Sequence, residues 1–421
     1  MSSVALRRIA PDEVAEPRGG ALDGATEHEA ARIVDDVRTR GEVALREHAE
    51  RLGDLEPGQP LVRTRAELAR ALEGLDRADH DVLQRTTARI RTFAAAQLGA
   101  LSELRLPVAG GVAGHTVRPV ERAGCYAPGG RYPLPSSVLM TAVTARTAGV
   151  DVVWVASPRP SAVTCAAAAL AGADALLAVG GAQAIAALAF GAGSVPACDL
   201  VCGPGNRWVT AAKKLVAGTV AIDMLAGPSE LCVLADDTAS AGLIAADLLA
   251  QAEHDPDARP VLVTTHEPLV AEVEGELERR LADLPTAAIA RASIAAHGTA
   301  VVCASPAEAE AVADRFAPEH LELLVADPEA THRRLRHHGA AFLGPRAAEV
   351  LGDYGVGPNH VLPTGGAARS CGGLSVLSFL RVSTWFQGQG DLTEVVRDAA
   401  HLARLEGLEA HARAAEERVE S

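Results

Sequence analysis

The runs D-V-V-W-V-A-S at 151–157, D-A-L-L-A-V-G at 174–180, C-D-L-V-C-G at 198–203 and V-A-I-D-M at 220–224 decide the fold. Each is a short apolar stretch of strand length, and Ala-rich segments of helical length separate them. Continuously apolar strands that alternate with helices belong in a parallel sheet covered on both faces, built from βαβ units. A second series repeats this texture, with E-L-C-V-L-A-D from Glu230, P-V-L-V-T-T-H from Pro260, A-V-V-C-A from Ala300 and L-E-L-L-V-A from Leu321. An α/β chain with two doubly wound halves is therefore expected. Upstream, the first 100 residues interleave acids and arginines with Ala and Leu at three- and four-residue spacing, which predicts surface helices. After about Leu380 no further strand is expected. Residues 391–420, rich in Glu, Arg and Ala, read as a helical tail with little apolar surface of its own, which predicts a partner for it to pack on.

The 421 residues are 48% hydrophobic, enough for two or three domains with a sizeable core. A net charge of -15 at pH 7 repels phosphate backbones and anionic lipids, and no Lys/Arg run offers a local exception, so no nucleic acid partner is expected. The seven cysteines, Cys125, Cys165, Cys198, Cys202, Cys232, Cys303 and Cys371, are odd in number and form no C-x-x-C pair, a pattern that suits a reducing compartment. At the N-terminus, M-S-S-V-A-L-R-R-I-A-P-D-E puts acids where a secretory peptide needs its apolar core. The most apolar stretch, about 162–192, is interrupted by Asp174, Gly180, Gly181 and Gln183 and does not read as a membrane span. The expected location is cytoplasmic, with no membrane partner.

Ligands of open α/β sheets bind outside the carboxyl ends of the strands. That rule directs attention to G-G-A-Q from Gly180, G-P-G-N from Gly203 and A-G-P-S-E from Ala226. Each loop can turn tightly and aim helix N-terminal amides at a ligand, and Gln183 and Asn206 add side-chain donors and acceptors. Taken alone, any one of them is explained equally well as an ordinary strand-to-helix turn. Without G-x-G-x-x-G or a P-loop pattern, spacing does not name a dinucleotide. A metal thread starts at Q-A-E-H, where Gln251 and His254 stand three apart and share a helix face. Asp353 and His360, in G-D-Y-G-V-G-P-N-H, could add further donors. Mixed nitrogen and oxygen donors without thiolate suit zinc ahead of manganese or iron, although each residue singly is more often an ordinary polar one. In A-P-E-H-L from Ala317, Glu319 stands beside His320 at a strand start. Neighbours there point to opposite faces and would serve different atoms of a substrate, unless the pair is only an exposed connection. His48, His80, His266, His337 and His338 sit in charged helical or loop contexts and receive no role.

Eight motifs taken together say more than any one: C-Y-A-P-G-G from Cys125, G-G-A-Q-A-I-A-A-L-A-F-G from Gly180, G-P-G-N from Gly203, A-G-P-S-E from Ala226, Q-A-E-H from Gln251, A-P-E-H from Ala317, G-D-Y from Gly352 and G-P-N-H-V-L-P-T from Gly357. In order and spacing they resemble the histidinol dehydrogenase family over nearly the whole chain. The resemblance implies two incomplete Rossmann-like doubly wound domains with small N-terminal and C-terminal helical segments. An N-terminal segment would span 1–20, and a discontinuous first domain of 21–125 and 230–375 would carry the zinc and catalytic residues. A second domain, 126–229, would contact NAD, and a helical tail, 376–421, would reach the other subunit of a homodimer with shared active sites.

By motif, Gln251, His254 and Asp353 look like ligands of one zinc ion per subunit, and His411 in E-G-L-E-A-H resembles the ligand donated by the partner subunit. Glu406 matches the family's substrate-contacting glutamate. Ser229, His320 and His360 match further substrate contacts, as do the zinc ligands themselves, and Tyr126, Gln183 and Asn206 match the positions that touch NAD. The implied reaction is the oxidation of L-histidinol through L-histidinaldehyde to L-histidine, the last steps of histidine biosynthesis, with two NAD reduced. In it His320 would be a general base with a near-neutral pKa, and Glu319 an ionised carboxylate that orients or activates water. Zinc would chiefly hold the substrate in position by its amino and imidazole nitrogens. A related zinc and NAD dehydrogenase of another small polar alcohol is the alternative reading, and a zinc hydrolase that uses Glu319 on water is a more distant one.

Overall fold

The structure, a computed structural model, describes residues 5–17, 23–129 and 133–418. Two six-stranded sheets organise it. The first is parallel throughout, and its strands lie side by side as Arg7–Ile9, Thr299–Val302, Arg259–Thr264, Glu230–Ala235, His320–Leu324 and Ala340–Leu343. The second runs Val62–Thr64, Ala175–Leu177, Val152–Ala156, Arg122–Tyr126, Leu200–Cys202 and Ala221–Ile222, with only Val62–Thr64 antiparallel. Beyond its edge strand, each sheet is visited by the chain in the spatial order 3-2-1-4-5. That is a doubly wound sheet lacking its sixth strand, so the two incomplete Rossmann-like halves are present.

Local chemistry explains the elements. Glu230–Ala235 and Ala175–Leu177 are buried along their whole length, as strands covered on both faces must be. The helices Ala162–Ala171 and Gly181–Phe190 are built largely of alanine, whose small side chain lets a helix lie close to its neighbours. Ser161 caps the former by accepting from the Thr164 N–H, and Gly172 ends it in a left-handed conformation that costs glycine little.

The division of the chain differs from the expected one. Residues 21–125 do not join 230–375. Val62–Thr64 and Arg122–Tyr126 belong to the second sheet, and Ala30, Leu45, Leu68 and Ile90 share a core with Val138 and Leu188. The cause is the apolar stripe Ile33, Val34 and Val37 on the helix Gly24–Arg40, which buries itself against the helices Gly181–Phe190 and Arg207–Val216. Arg7–Ile9, expected in a separate N-terminal segment, instead extends the first sheet. The expected boundary at residue 20 lies outside the described residues.

The C-terminal segment is not wholly helical. Leu380–Gly388 is a nine-residue strand antiparallel to Gly111–Pro119, which also pairs with Leu104–Val108 in a separate three-stranded sheet. That strand is mostly exposed and carries polar residues between its apolar ones, so no continuous apolar run announced it. The helices Thr393–Leu405 and Glu409–Glu416 follow. Among the described residues no helix is long and apolar enough to cross a membrane.

Candidate active site

The two sheets meet across a seam, the carboxyl edge of the second facing the amino edge of the first. Asn359 Nδ2 donates to the Met140 carbonyl at 2.8 Å, the Gly227 N–H donates to Thr364 Oγ1 at 2.5 Å, and Ser137 Oγ lies 3.4 Å from His360 Nε2. Ser229 and Glu230 stand at the start of one central strand, and Glu319 and His320 at the start of its neighbour. The carboxyl-end rule thus points to the loops of the second sheet but not to the cluster on the first, which gathers at the amino ends of its strands.

Glu319 and His320 clasp one residue, Glu230, from both of its backbone groups. Glu319 Oε2 accepts from the Glu230 N–H at 2.9 Å, while His320 Nδ1 lies 3.2 Å from the Glu230 carbonyl oxygen. A carbonyl only accepts, so Nδ1 carries the proton in that bond and Nε2 keeps its lone pair. His320 Nε2 in turn lies 3.7 Å from Asp353 Oδ1. The two side chains are 3.8 Å apart without bonding to each other, in keeping with separate tasks.

Their ionisation departs from the sequence expectation. Burial lowers the His320 imidazole to about 4, against the opposing pull of Asp353, instead of leaving it near neutral. Burial likewise raises Glu319 well above the ordinary carboxylate range, against the Glu230 N–H and the Ser229 hydroxyl and with the help of the Glu230 and Asp353 charges. In the protein alone burial thus disfavours the charged form of both groups.

Of the metal candidates, His254 approaches Asp353, as does His360. Its helix, Glu349–Asp353, is held by the Glu349 N–H donating to Glu322 Oε1 at 2.7 Å. His254 Nε2 lies 3.8 Å from Asp353 Oδ2, and His360 Nδ1 is 2.8 Å from the Asp353 carbonyl oxygen. Gln251 is fully buried, and neither amide atom has a hydrogen-bond partner. Leaving such atoms unsatisfied costs about 1–3 kcal/mol each, so a buried amide of this kind points to a ligand. Ligand atoms of His320, Glu349 and Asp353 also lie within 4.8 Å of one another. Nitrogen and oxygen donors without thiolate fit a divalent cation such as zinc. Glu349 is a candidate donor that the sequence reading missed; its signal was the four-residue spacing to Asp353, which puts both on one helix face.

On the second sheet, Tyr126 and Gln183 come together at the start of Gly181–Phe190, where the Gly181 N–H donates to the Tyr126 hydroxyl at 3.2 Å. Burial raises that phenol to about 12. Asn206 caps the next helix, Arg207–Val216, accepting from the Trp208 and Val209 N–H groups. A buried ion pair sets the loop before it. The Gly203 N–H donates to Asp223 Oδ2 at 2.7 Å, Lys213 Nζ donates to the Gly203 carbonyl at 3.0 Å, and Lys213 and Asp223 contact each other. Gly203 has φ +117° and a Cβ there would stand 1.9 Å from the Tyr126 carbonyl oxygen, so only glycine fits. Lys213 and Asp223 lay outside every motif.

Glu406 and His411 are exposed on the tail, and among the described residues no hydrogen bond or ion pair joins either to the Asp353 cluster. One chain does not bring them to it.

Comparison with known proteins agrees with this architecture. The family profile described as histidinol dehydrogenase matches residues 18–419. The histidinol dehydrogenase of Thermus thermophilus is 46% identical over 399 residues, covering 94% of this chain and 95% of its own. That of Nitratidesulfovibrio vulgaris is 46% identical over 407 residues, covering 94% and 93%. The crystal structure of histidinol dehydrogenase from Elizabethkingia anophelis superposes with a TM-score of 0.91 at 29% identity, over 99% of this chain and 98% of that one. A profile match over almost the whole length, close relatives and a shared fold place the chain in the histidinol dehydrogenase family of oxidoreductases.

Proposed function

We propose that the chain oxidises L-histidinol through L-histidinaldehyde to L-histidine, reducing two NAD, as a cytoplasmic homodimer with one zinc ion per subunit. The observation that carries this reading is Gln251, a buried amide without a protein partner on the helix Ala241–Ala252, which packs against the helix of Asp353. Gln251, His254 and Asp353 would hold the metal together with His411 of the partner subunit, and Tyr126, Gln183 and Asn206 would contact NAD. A bound ion would offset the Asp353 charge and help hold the substrate in position, and NAD would supply the hydride acceptor.

The remaining work falls to side chains. His320, its tautomer set by the Glu230 carbonyl, accepts the alcohol proton at Nε2 as the first hydride leaves. Glu319 holds the water that adds to the aldehyde, and the Ser229 hydroxyl and Glu230 N–H stabilise its carboxylate once the Asp353 charge is offset. Once His320 has released that first proton to solvent, its Nε2 takes a proton from the hydrate as the second hydride leaves. His360 and Ser229 line the substrate side of the seam, and Glu406 would arrive with the partner's tail.

The test is NADH formation from L-histidinol with and without chelator, with the product identified. Two NADH per histidine, abolished by chelation and restored by zinc, is the expected result. Zinc binding without turnover of L-histidinol would move the assignment to another small polar alcohol.

A further inference from the structure

One residue outside every motif organises the dinucleotide wall. Asp54 comes from the loop after the helix Glu42–Arg51, and its Oδ2 accepts from both the Gly180 N–H at 2.9 Å and Gln183 Nε2 at 3.0 Å. A carboxylate only accepts, so this contact determines which end of the Gln183 amide faces Asp54: the nitrogen. Gln183 Oε1 is then directed away from it and has no hydrogen-bond partner, although the residue is only 2% exposed. Gly181, at φ +62°, leaves room for that oxygen, since a Cβ there would come within 2.9 Å of it. The helix N-terminus, the buried unsatisfied oxygen and the neighbouring Tyr126 hydroxyl together describe a place where a ligand completes the hydrogen bonding.

We propose that Asp54 is a positioning residue of the dinucleotide site, locking the Gln183 amide so that it presents an acceptor. The dinucleotide group that meets it is therefore a hydrogen-bond donor, a ribose hydroxyl or a carboxamide N–H, and not a phosphate oxygen. This rests on the reading of Gln183 as an NAD contact. It adds that the contact depends on Asp54 and has a defined polarity. Burial raises the Asp54 carboxyl, against the opposing Gly180 N–H, Gln183 amide and Arg159 charge.

The experiment is a double-mutant cycle on the zinc-loaded enzyme, read as NADH affinity by fluorescence titration without turnover. Asp54→Ala and Gln183→Ala are each expected to weaken NADH about tenfold, and the double variant about tenfold and no more, because both remove one contact. Multiplication of the two losses to about a hundredfold would overturn the proposal. An unchanged affinity in Gln183→Ala would instead remove the underlying NAD reading of that residue. Should Asp54→Ala fold poorly, Gln183→Glu supplies a second route. That variant sets two carboxylates against each other and should weaken NADH, while Asp54→Asn in the same chain restores a donor-to-acceptor pair and should recover most of the loss. Absence of that recovery would count against Asp54 as the positioning group. Affinity for L-histidinol should stay unchanged throughout.

Discussion

At the residue scale, the site combines groups that are individually unfavourable in a protein interior. Gln251 is the clearest, because two buried amide atoms without partners serve no purpose in the protein by itself. Gln251→Leu keeps the volume and removes both atoms. In chelator-treated protein it should therefore raise stability by about 1–3 kcal/mol, measured by denaturant unfolding, while zinc retention falls. A metal-free Leu variant less stable than the metal-free parent would mean that the amide is satisfied within the protein. The motif Q-A-E-H made Gln251 and His254 visible in the sequence. What it could not show is that Gln251 is sealed from water and that His254 meets an aspartate about a hundred residues away.

Among the elements, the loops on the second sheet owe their shape to side chains that no motif contains. Gly203 is gripped at its N–H by Asp223 and at its carbonyl by Lys213, and both of these side chains are almost completely buried. Lys213→Met should destabilise the fold by about 3–5 kcal/mol in a denaturant titration, since it leaves the Asp223 charge buried without its partner. The double change Lys213→Met, Asp223→Leu should recover part of that loss, and failure to recover any would show that the pair is not the source of the effect. The G-P-G-N motif signalled a tight turn correctly. The reason for its first glycine, contact with the Tyr126 carbonyl, arises between two strands far apart in the chain.

For the whole molecule, the described chain leaves apolar side chains in water on the three-stranded sheet and on the tail. Leu104, Leu106, Val382 and Phe386 are exposed on the three-stranded sheet, and Leu402, Leu405 and Leu408 on the tail. Exposed apolar surface of this extent, with Glu406 and His411 on the same tail, supports an association in which each tail completes a neighbouring site. A mixed dimer of His411→Ala with His320→Ala chains should regain activity in one of its two pockets. Failure to regain any would contradict a tail that acts on the other subunit.

Composition and periodicity alone determined that this protein is α/β with two parallel doubly wound sheets, because a strand buried on both faces must be apolar throughout and that requirement is written locally. The motifs likewise marked Glu319, His320, Gln251, His254, Asp353, Tyr126 and Gln183. Only the tertiary structure decided that the helices of residues 24–99 pack with the second sheet, that Leu104–Val108 and Gly111–Pro119 pair with Leu380–Gly388, that Arg7–Ile9 joins the first sheet, and that Glu319 and His320 gather at the amino ends of its strands. It alone also brought Asp54 to Gln183 and Glu349 to His320. Such contacts join segments whose local patterns carry no record of each other, so they depend on which apolar faces find the largest common burial once the chain has folded.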